Sequence, residues 1–475
     1  MVDVIADRHF PSSYGRDASV RWDMVGEESV DLLRQYIRFP TVNDPDGLTE
    51  EQKVNSPWLA GHETEAANWL GGYLQSEGIV VELLESAPGR TNLIARLHGT
   101  GGGRAVTLLS HSDVVPTRRN EWENGIDPFA AIVRDGYLYG RGALDLKGLG
   151  IAHLMTFLLL YRLKLPLKRD VVLLIVADEE TGGRFGAEWL LRKRPELLNT
   201  DVVLGEGGYS PKGLLPKLGT VQAIAVAEKG YLELELVTQD KSHHASMPDS
   251  NDAPARLIRA LGRILRMNDG VRVTPPSKVL LRHLSASATG LHRIILKWPE
   301  LAFRVAGRHI PLSPIVGAML KDTIAVTMLE GGLKSNVVPN QARAVLSIRF
   351  LPGTDPDALT AKIRRAADDS RIEIRRLKSK PANASDFTTP QFVALAKHAA
   401  AQEASAVVTP ILSPGASDCR FWRQARVNCY GWIPFVISGS DLQGVHGSNE
   451  RVSITAFQKG LQSLYGAVAE IATSV

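Results

Sequence analysis

The segment LLIVADEETGG, residues 173–183, constrains the fold more than any other part of this chain. It joins an apolar run, residues 171–177, directly to three consecutive carboxylates, Asp178, Glu179 and Glu180. An apolar run of this length is typical of a strand that is buried on both faces of a sheet. Neighbouring carboxylates repel one another, and burial raises the free energy of their charged forms. The segment therefore predicts a buried strand whose end faces a positive charge.

Strand and helix patterns alternate through the first part of the chain. Apolar strands separated by helices are typical of an α/β fold, in which a mainly parallel sheet has helices on both faces. The predicted strands are residues 105–109, 171–177 and 202–204, and the predicted helices are residues 28–38, 64–77, 149–163 and 185–194.

A different pattern begins after about residue 220, where apolar and polar residues alternate along the strands. This alternation indicates antiparallel strands with one exposed face. The predicted elements follow the ferredoxin-like order β-α-β-β-α-β. In that order they are residues 232–237, 253–267, 323–329, 342–350, 357–369 and 371–377.

From residue 390 the first pattern returns, and a final helix is predicted at about residues 453–471. We therefore predict one α/β domain made of residues 1–220 and 381–475, with an inserted α+β domain at residues 221–380. Residues 274–321 are expected to add helices to the inserted domain, and the polar residues 378–389 are expected to be a linker.

The composition excludes several classes of protein. A net charge of +4 on 475 residues is too small to indicate a nucleic-acid partner, and no apolar run approaches the roughly 18 residues that cross a bilayer. Only two cysteines are present, Cys419 and Cys429, and we interpret both as reduced thiols. The N-terminal residues lack the pattern of a signal peptide. We expect a cytoplasmic protein with no membrane partner.

The strands of the predicted parallel sheet end in side chains that bind metals, and one further carboxylate precedes a helix. In open α/β sheets the functional crevice lies at the carboxyl ends of the strands. Imidazole and carboxylate ligands suit zinc, with cobalt or manganese as substitutes. One zinc takes about four ligands, and a carboxylate can bridge two ions, so this larger set predicts two divalent metals. The residues are His111, Asp113, Asp145, Glu179, Glu180 and Glu206.

Five motifs together carry a resemblance to a known family. HSDVVP, GRGALDLKG, ADEETGG, GEGG and HGSNERV resemble, in order and spacing, the motifs of the co-catalytic dinuclear zinc peptidases and deacylases. That family includes aminoacylase, acetylornithine deacetylase, succinyl-diaminopimelate desuccinylase and dipeptidases. Residues 323–332 and 415–421 look most like vacuolar carboxypeptidase S. The resemblance covers about residues 28–470 and implies a zinc-peptidase fold and a metal-dependent hydrolase.

The resemblance also implies a role for each residue of these motifs. Glu179 is implied to be the catalytic general base, and Asp113 to orient an imidazole. Asp145 is implied to bridge the two metals and to precede a cis peptide bond. The implied metal ligands are His111, Asp145, Glu180, Glu206 and His446.

The inserted domain resembles the lid and dimerisation domain of the same family. Its motif HHASMP places His244 at the position of a family histidine that enters the active site of the partner subunit. The resemblance therefore implies a homodimer and a catalytic role for His244. The residues that resemble substrate-binding positions are Asn336, Arg349, Gly415 and Ser417.

The implied reaction is hydrolysis of the amide bond of small N-acyl amino acids, or of short peptides, that carry a free carboxylate. Two alternatives stay open. One is a non-catalytic homologue that binds a metal or a ligand, although the sequence keeps Glu179 and every implied ligand. The other is a hydrolase of another C–N bond, such as that of a carbamoyl or formyl amino acid.

Overall fold

The computed structural model describes residues 20–212, 219–267, 270–285, 288–306, 314–404 and 406–474. The described residues form two compact units. The first comprises residues up to 226 together with 385–411 and 416–474, and the second comprises residues 227–384 and 412–415. Residues 412–415, which the sequence assigned to the catalytic domain, thus group with the inserted unit.

The strands are, in chain order, β1 Val81–Glu85, β2 Thr91–Leu97, β3 Gly103–His111, β4 Ile132–Arg134, β5 Tyr137–Tyr139, β6 Arg169–Val176, β7 Thr200–Gly205, β8 Ser210–Lys212, β9 Val221–Glu228, β10 Gly230–Gln239, β11 His243–His244, β12 Thr323–Gly331, β13 Val337–Val338, β14 Gln341–Phe350, β15 Glu373–Lys380, β16 Asn383–Ala384, β17 Val407–Ser413, β18 Asn428–Gly431, β19 Val436–Ser438 and β20 Arg451–Ser453. The predicted linker at residues 378–389 therefore contains the end of β15 and all of β16.

The α-helices are, in chain order, α1 Trp22–Ile37, α2 Glu50–Asn55, α3 Thr64–Ser76, α4 Lys147–Arg162, α5 Ala187–Lys193, α6 Ala253–Leu265, α7 Pro275–Ser285, α8 Gly290–Lys297, α9 Pro299–Ala306, α10 Pro314–Leu320, α11 Pro356–Ala367, α12 Pro390–Ala400, α13 Cys419–Gln424, α14 Gly439–Leu442 and α15 Ile454–Thr473. The expected extra helices of residues 274–321 are α7 to α10.

The main sheet confirms the α/β prediction at its centre and departs from it at its edges. Its strands lie in the order β1-β2-β6-β3-β7-β18-β9-β16, and β17 also pairs with β9. The four central strands, β6, β3, β7 and β18, are parallel. The pairs β1–β2, β2–β6 and β18–β9 are antiparallel. The sequence did not predict β1 because its side chains are largely exposed and its pattern, VELLE, is weakly apolar.

Helices cover both faces of the central strands, which is why those strands are apolar throughout. On β6, Val172, Leu174 and Val176 belong to a core that includes Leu190 of α5 and Trp422 of α13. The intervening side chains point to the opposite face, where α4 packs on β3 and β6 and is itself covered by α1 and α15. This double burial leaves the carboxyl edge of the sheet as the place where polar side chains emerge.

The second unit contains a sheet with the order β12-β14-β10-β15, in which every neighbouring pair is antiparallel. With α6 after β10 and α11 after β14, this is the predicted ferredoxin-like arrangement. Leu234, Leu346 and Ile348 form a core with Leu257 of α6 and Ile363 of α11 on one face. The prediction of an inserted α+β domain is therefore confirmed.

Cys419 and Cys429 are joined in a disulfide, so their interpretation as reduced thiols is wrong. The bond ties the first residue of α13 to β18, and both cysteines are fully buried in the core beside Trp422. Cysteines separated by ten residues give no pairing signal in sequence, because the fold alone decides whether they approach. In the part of the chain that the structure describes, no helix has both the length and the apolar character needed to cross a membrane.

Candidate metal centre and active site

Three neighbouring parallel strands bring predicted site residues to one edge of the main sheet. β3 ends at His111, β7 ends beside Glu206, and β6 ends just before Asp178. The carboxyl ends of parallel strands share one edge, so the side chains that follow them converge there. Asp145 and His446 join this group from the segments before α4 and β20.

The predicted metal ligands form two groups that share one carboxylate. Nε2 of His111 lies 3.0 Å from a carboxylate oxygen of Glu206 and 3.3 Å from Oδ1 of Asp145. Nε2 of His446 lies 3.1 Å from Oδ2 of Asp145 and 3.3 Å from a carboxylate oxygen of Glu180. Each oxygen of Asp145 thus faces a different imidazole. This is the arrangement expected of a carboxylate placed between two metal sites.

The donor set fits divalent metal ions. Ligand atoms of His111, Asp145 and Glu180 all lie within 4.8 Å of one another, and so do those of His111, Glu179 and Glu206. Glu180 also carries a buried carboxylate oxygen, Oε1, that accepts no hydrogen bond from any described residue. A buried carboxylate oxygen without a partner is costly unless a cation compensates for it. Two imidazoles with several carboxylates are ligands that zinc and similar metals prefer.

The electrostatics of the protein alone show how strongly this cluster attracts positive charge. Hydrogen bonds to Asp145 and Glu180 raise the pKa of His446 to about 10. Burial alone would lower the pKa of His111, but Asp113, Asp145 and Glu206 raise it well above its usual value. Protons on both imidazoles therefore offset part of the negative charge of the cluster when no metal does.

Asp113 holds the turn that carries the predicted base. Its carboxylate accepts hydrogen bonds from the backbone N–H groups of Glu179 and Glu180, both at 3.1 Å, and from the Asn43 amide at 2.8 Å. Nδ1 of His111 lies 3.0 Å from the backbone oxygen of Asp113 and 3.5 Å from its carboxylate. Asp113 therefore positions the imidazole mainly through its main chain, while its side chain fixes the neighbouring turn.

A second buried network supports the same turn from the N-terminal part of the chain. Asp178 has a positive φ of 69°, and its carboxylate accepts a hydrogen bond from Arg90 at 2.6 Å. The guanidinium of Arg90 is fully buried and also lies 3.3 Å from Glu63. Gly61 leaves room for Arg90, since a Cβ at Gly61 would lie 1.7 Å from Nη1 of that arginine. Arg90 could not be predicted from the sequence, because an isolated arginine outside any motif carries no pattern.

Glu179 lies in a buried, negatively charged corner of the site. Burial, followed by the charges of Glu206 and Asp418, raises its pKa well above the usual value. Nη1 of the buried Arg420 lies 3.8 Å from a carboxylate oxygen of Glu179. Arg420 also donates hydrogen bonds to the backbone oxygens of Gly182 at 2.8 Å and Ser417 at 2.9 Å. It therefore links the turn that carries Glu179 to the start of α13.

Glu450 anchors the segment that presents Asp145. Its fully buried carboxylate accepts hydrogen bonds from the backbone N–H groups of Gly142, Leu144 and Asp145 at 2.8–3.0 Å. It also pairs with the buried Arg141 at 2.7 Å, and Arg141 donates to the backbone oxygen of Gly447. The Glu450 side chain thus holds the backbone that precedes the Asp145–Leu146 cis peptide bond. It also links this backbone to the segment that follows His446. Glu450 stands inside the motif HGSNERV, but a motif does not reveal which backbone a carboxylate will hold.

The predicted residues His244, Asn336 and Arg349 lie in the second unit. In the second unit, β11 pairs with β13, so that His244 faces Val337 in register, and Ala245 donates a hydrogen bond to the backbone oxygen of Asn336. His244 is exposed, and its Nδ1 lies 2.7 Å from the Ser246 hydroxyl. Arg349 lies on β14, with its guanidinium 4.6 Å from the centre of the Tyr231 ring.

Gly415 and Ser417 stand immediately before α13. Gly415 belongs to the second unit and Ser417 to the first. The Ser417 hydroxyl accepts a hydrogen bond from the backbone N–H of Cys419 at 3.2 Å, and the side chain is buried. A Cβ at Gly415 would be in nearly open space among the described residues, with the Ser413 hydroxyl at 3.7 Å as its nearest neighbour.

Comparison with known proteins gives this arrangement a context. Residues 107–470 match the sequence model of peptidase family M20/M25/M40. The chain is 30% identical over 379 residues to the N-fatty-acyl-amino acid synthase/hydrolase PM20D1 of Mus musculus, which covers 75% of this chain and 72% of that protein. It is 26% identical over 456 residues to aminoacylase-1A of Rattus norvegicus, which covers 94% of this chain and 95% of that protein.

Among solved structures, the fold is similar to that of the M20 family metallo-carboxypeptidase Sso-CP2 of Sulfolobus solfataricus. The TM-score is 0.69 at 21% identity, over 93% of this chain and 98% of that chain. These matches confirm the family resemblance that the five motifs predicted.

We predict that Glu450→Gln weakens metal binding although residue 450 is not a ligand. The amide NH2 would face backbone donors in place of one carboxylate oxygen, and the segment before Asp145 would shift. Loss of such support typically costs about 10- to 100-fold in metal affinity. Calorimetric titration of metal-free protein measures the metal affinity. Glu470→Gln is the control, since Glu470 pairs with Lys397 and His398 of α12. Equal metal affinity in both variants would contradict the anchoring role.

We also predict that metal binding releases protons at pH 8. An ordinary imidazole is neutral at that pH, but His446, with its pKa raised to about 10, still holds a proton in the metal-free protein. An imidazole that binds a metal must be neutral, so this proton leaves on binding, and the apparent affinity rises with pH between 7 and 9. Calorimetry in buffers of different ionisation enthalpy counts the protons. An affinity that is constant over this range would show that His446 is neutral before the metal binds.

Proposed function

Since this chain belongs to peptidase family M20/M25/M40, we propose that it is a dinuclear metal hydrolase of small N-acyl amino acids, or of short peptides with a free carboxylate. It is an enzyme of the metallopeptidase and amidohydrolase type, and the alternative of a non-catalytic homologue is set aside. One observation carries the proposal. Asp145 turns one oxygen toward His111 and the other toward His446, at 3.3 and 3.1 Å, and Glu179 lies close to the same His111.

We propose two zinc ions as the metals, with cobalt or manganese as substitutes. His111 and Glu206 would hold one ion, Glu180 and His446 would hold the other, and Asp145 would lie between them. Such ions polarise a carbonyl group and lower the pKa of water to about 7. Divalent charge also replaces the protons that the imidazoles otherwise retain.

Glu179 is the proposed general base. Its carboxylate lies within the ligand cluster, where it can accept a proton from a water molecule that the cluster holds. It takes a proton from the attacking water and returns that proton to the leaving amine. Asp113 and Arg420 hold its turn from two sides, so the carboxylate keeps its direction while the proton moves.

The proposed substrate class follows from the inserted unit and from the relatives. Arg349 forms no ion pair with any described residue, and its stacking on Tyr231 leaves its N–H edge able to bind a carboxylate. Asn336 and His244 are brought together by the β11–β13 pair, where His244 would donate a hydrogen bond to the oxyanion. Gly415 and Ser417 are the remaining proposed substrate contacts. The names of the mouse and rat relatives favour N-acyl amino acids over carbamoyl or formyl derivatives.

We propose a homodimer formed through the inserted unit. β12 lies at one edge of its sheet, and its Met328 and Leu329 are exposed. An exposed apolar edge strand can pair with a second copy of itself.

The cytoplasmic location expected from the sequence stays a proposal. A reducing compartment keeps cysteines as thiols, whereas Cys419 and Cys429 are joined here. Cell fractionation, combined with a count of free thiols in the isolated protein, distinguishes a reducing from an oxidising compartment.

The first test is a panel of N-acetyl, N-long-chain-acyl, N-formyl and N-carbamoyl amino acids and dipeptides, each with a free and an amidated carboxylate. We expect turnover of the free acids of an N-acyl amino acid or dipeptide series. Glu179→Gln should lower kcat by at least about 100-fold while both metals stay bound, and Glu180→Gln should lose metal. If Glu179→Gln loses metal and keeps its turnover per bound metal pair, the two roles are reversed. Preference for carbamoyl or formyl substrates would favour the alternative reaction.

The second test concerns His244 and the dimer. His244→Ala and Glu179→Ala should each be almost inactive alone. In a randomly mixed population about half of the dimers contain one of each chain, and one of their two sites has both residues intact. Activity should then recover to about a quarter of the wild-type value. Failure to recover, with subunit exchange verified by mass spectrometry, would mean that His244 acts within its own chain or not at all.

A further inference from the structure

Two consecutive short helices of the inserted unit expose large apolar side chains. Ile294 of α8 is 61% exposed, Trp298 between the helices 56%, Leu301 of α9 63% and Val305 of α9 79%. Leu301 and Val305 are four residues apart, which puts them on one side of α9. Trp298 directly follows the last residue of α8, and its N–H donates to the backbone oxygen of Ile294 at 3.0 Å. We call these four residues the apolar strip.

The apolar strip is not needed for the packing of its own helices. Leu296 of α8 and Phe303 of α9 turn inward and join a small core with Leu281 and Leu320. That core satisfies the buried side of both helices. The apolar strip is therefore a second apolar side on elements that already have one packed side, which is unusual for a surface without a partner.

Cationic side chains flank the apolar strip. Arg293, Lys297 and Arg304 directly precede Ile294, Trp298 and Val305 in the sequence, and all three cations are exposed. None of them forms an ion pair with any residue that the structure describes. Glu300 is the sole acidic residue of the sequence between positions 288 and 306, and it pairs with Lys278 at 2.9 Å. Three uncompensated positive charges therefore border an exposed apolar surface.

In contrast to the sequence-based expectation of no membrane partner, we propose that the apolar strip docks on the surface of an anionic lipid bilayer. Leucine, isoleucine, valine and tryptophan side chains flanked by arginine and lysine are the features of a helix that lies in the plane of a membrane surface. Tryptophan suits the boundary between headgroups and acyl chains, because its ring is apolar and its N–H is polar. The cations bind the negative headgroups, so apolar insertion and charge attraction add together. The proposal is independent of the reaction at the metal centre.

The test uses the full-length protein and vesicles of defined composition. Co-sedimentation is measured with pure phosphatidylcholine and with phosphatidylcholine containing 30% phosphatidylglycerol, at about 50 and 500 mM salt, a range over which screening of exposed charges increases strongly. We expect binding to the anionic vesicles at low salt, with at least a tenfold loss at high salt or on neutral vesicles. No binding to anionic vesicles at low salt would overturn the proposal.

Two variants and a matched control locate the surface. Trp298→Ser with Leu301→Ser should lower vesicle binding at least tenfold by removing the inserted side chains. Arg293→Glu with Lys297→Glu should do the same by reversing the charge. Val80→Ser replaces a residue of the first unit that is 83% exposed and should leave binding unchanged. Circular dichroism and hydrolysis of a water-soluble substrate verify that each variant is folded.

The outcomes separate a lipid surface from a protein partner. If the apolar-strip variants bind vesicles as well as the control does, the proposal is wrong. If they instead change the sedimentation coefficient without changing vesicle binding, the apolar strip is an interface with a second copy of the chain. Quenching of tryptophan fluorescence by spin-labelled lipid should fall in Trp298→Phe. Unchanged quenching in that variant would place any membrane contact elsewhere and overturn the assignment.

Discussion

Repulsion among carboxylates at the carboxyl edge of the main sheet determines how the surrounding structure is built. Glu206 and Asp145 approach one imidazole, and Glu180 and Asp145 approach the other. Such a concentration of negative charge in a buried place is stable only if cations compensate for it and the backbone cannot move away. The residues around the centre keep the backbone from moving away. The carboxylates of Asp113 and Glu450 accept hydrogen bonds from the backbone of the turns that carry the cluster, and Arg420 donates one to it.

The sequence was sufficient to predict the architecture and the meeting of imidazole and carboxylate side chains at one edge of the main sheet. A strand that is buried on both faces is apolar along its length whatever its exact packing partners are. β3, β6 and β7 were therefore predicted in nearly their observed positions. Polar residues directly after those strands had to meet at one edge. The alternation in β10 and β14 likewise predicted a sheet with one buried face, which the core around Leu346 provides.

What the sequence did not predict depends on contacts between distant segments. Arg90 reaches Asp178 across 88 positions, and Glu450 reaches Asp145 across 305. Neither residue stands in a periodic pattern, and a buried charged side chain looks in sequence like an exposed one. The same holds for Cys419 and Cys429, whose pairing requires that α13 and β18 already lie side by side. The roles of His244, Arg349, Asn336, Gly415 and Ser417 stay predictions, because they concern a substrate and a partner chain.

The anchoring of the Asp145 segment by Glu450 also has a consequence for biosynthesis. The chain leaves the ribosome with its N-terminus first, so the carboxylates from Asp145 to Glu206 emerge long before residues 446–450. During that interval the growing polypeptide holds most of its acidic cluster without the second imidazole, and the approach to Asp145 has no carboxylate to hold it. The complete cluster of both imidazoles and the carboxylates can therefore assemble only near the end of translation. Completion of this cluster is therefore a late step of synthesis, and a chain that ends before His446 would lack its second imidazole.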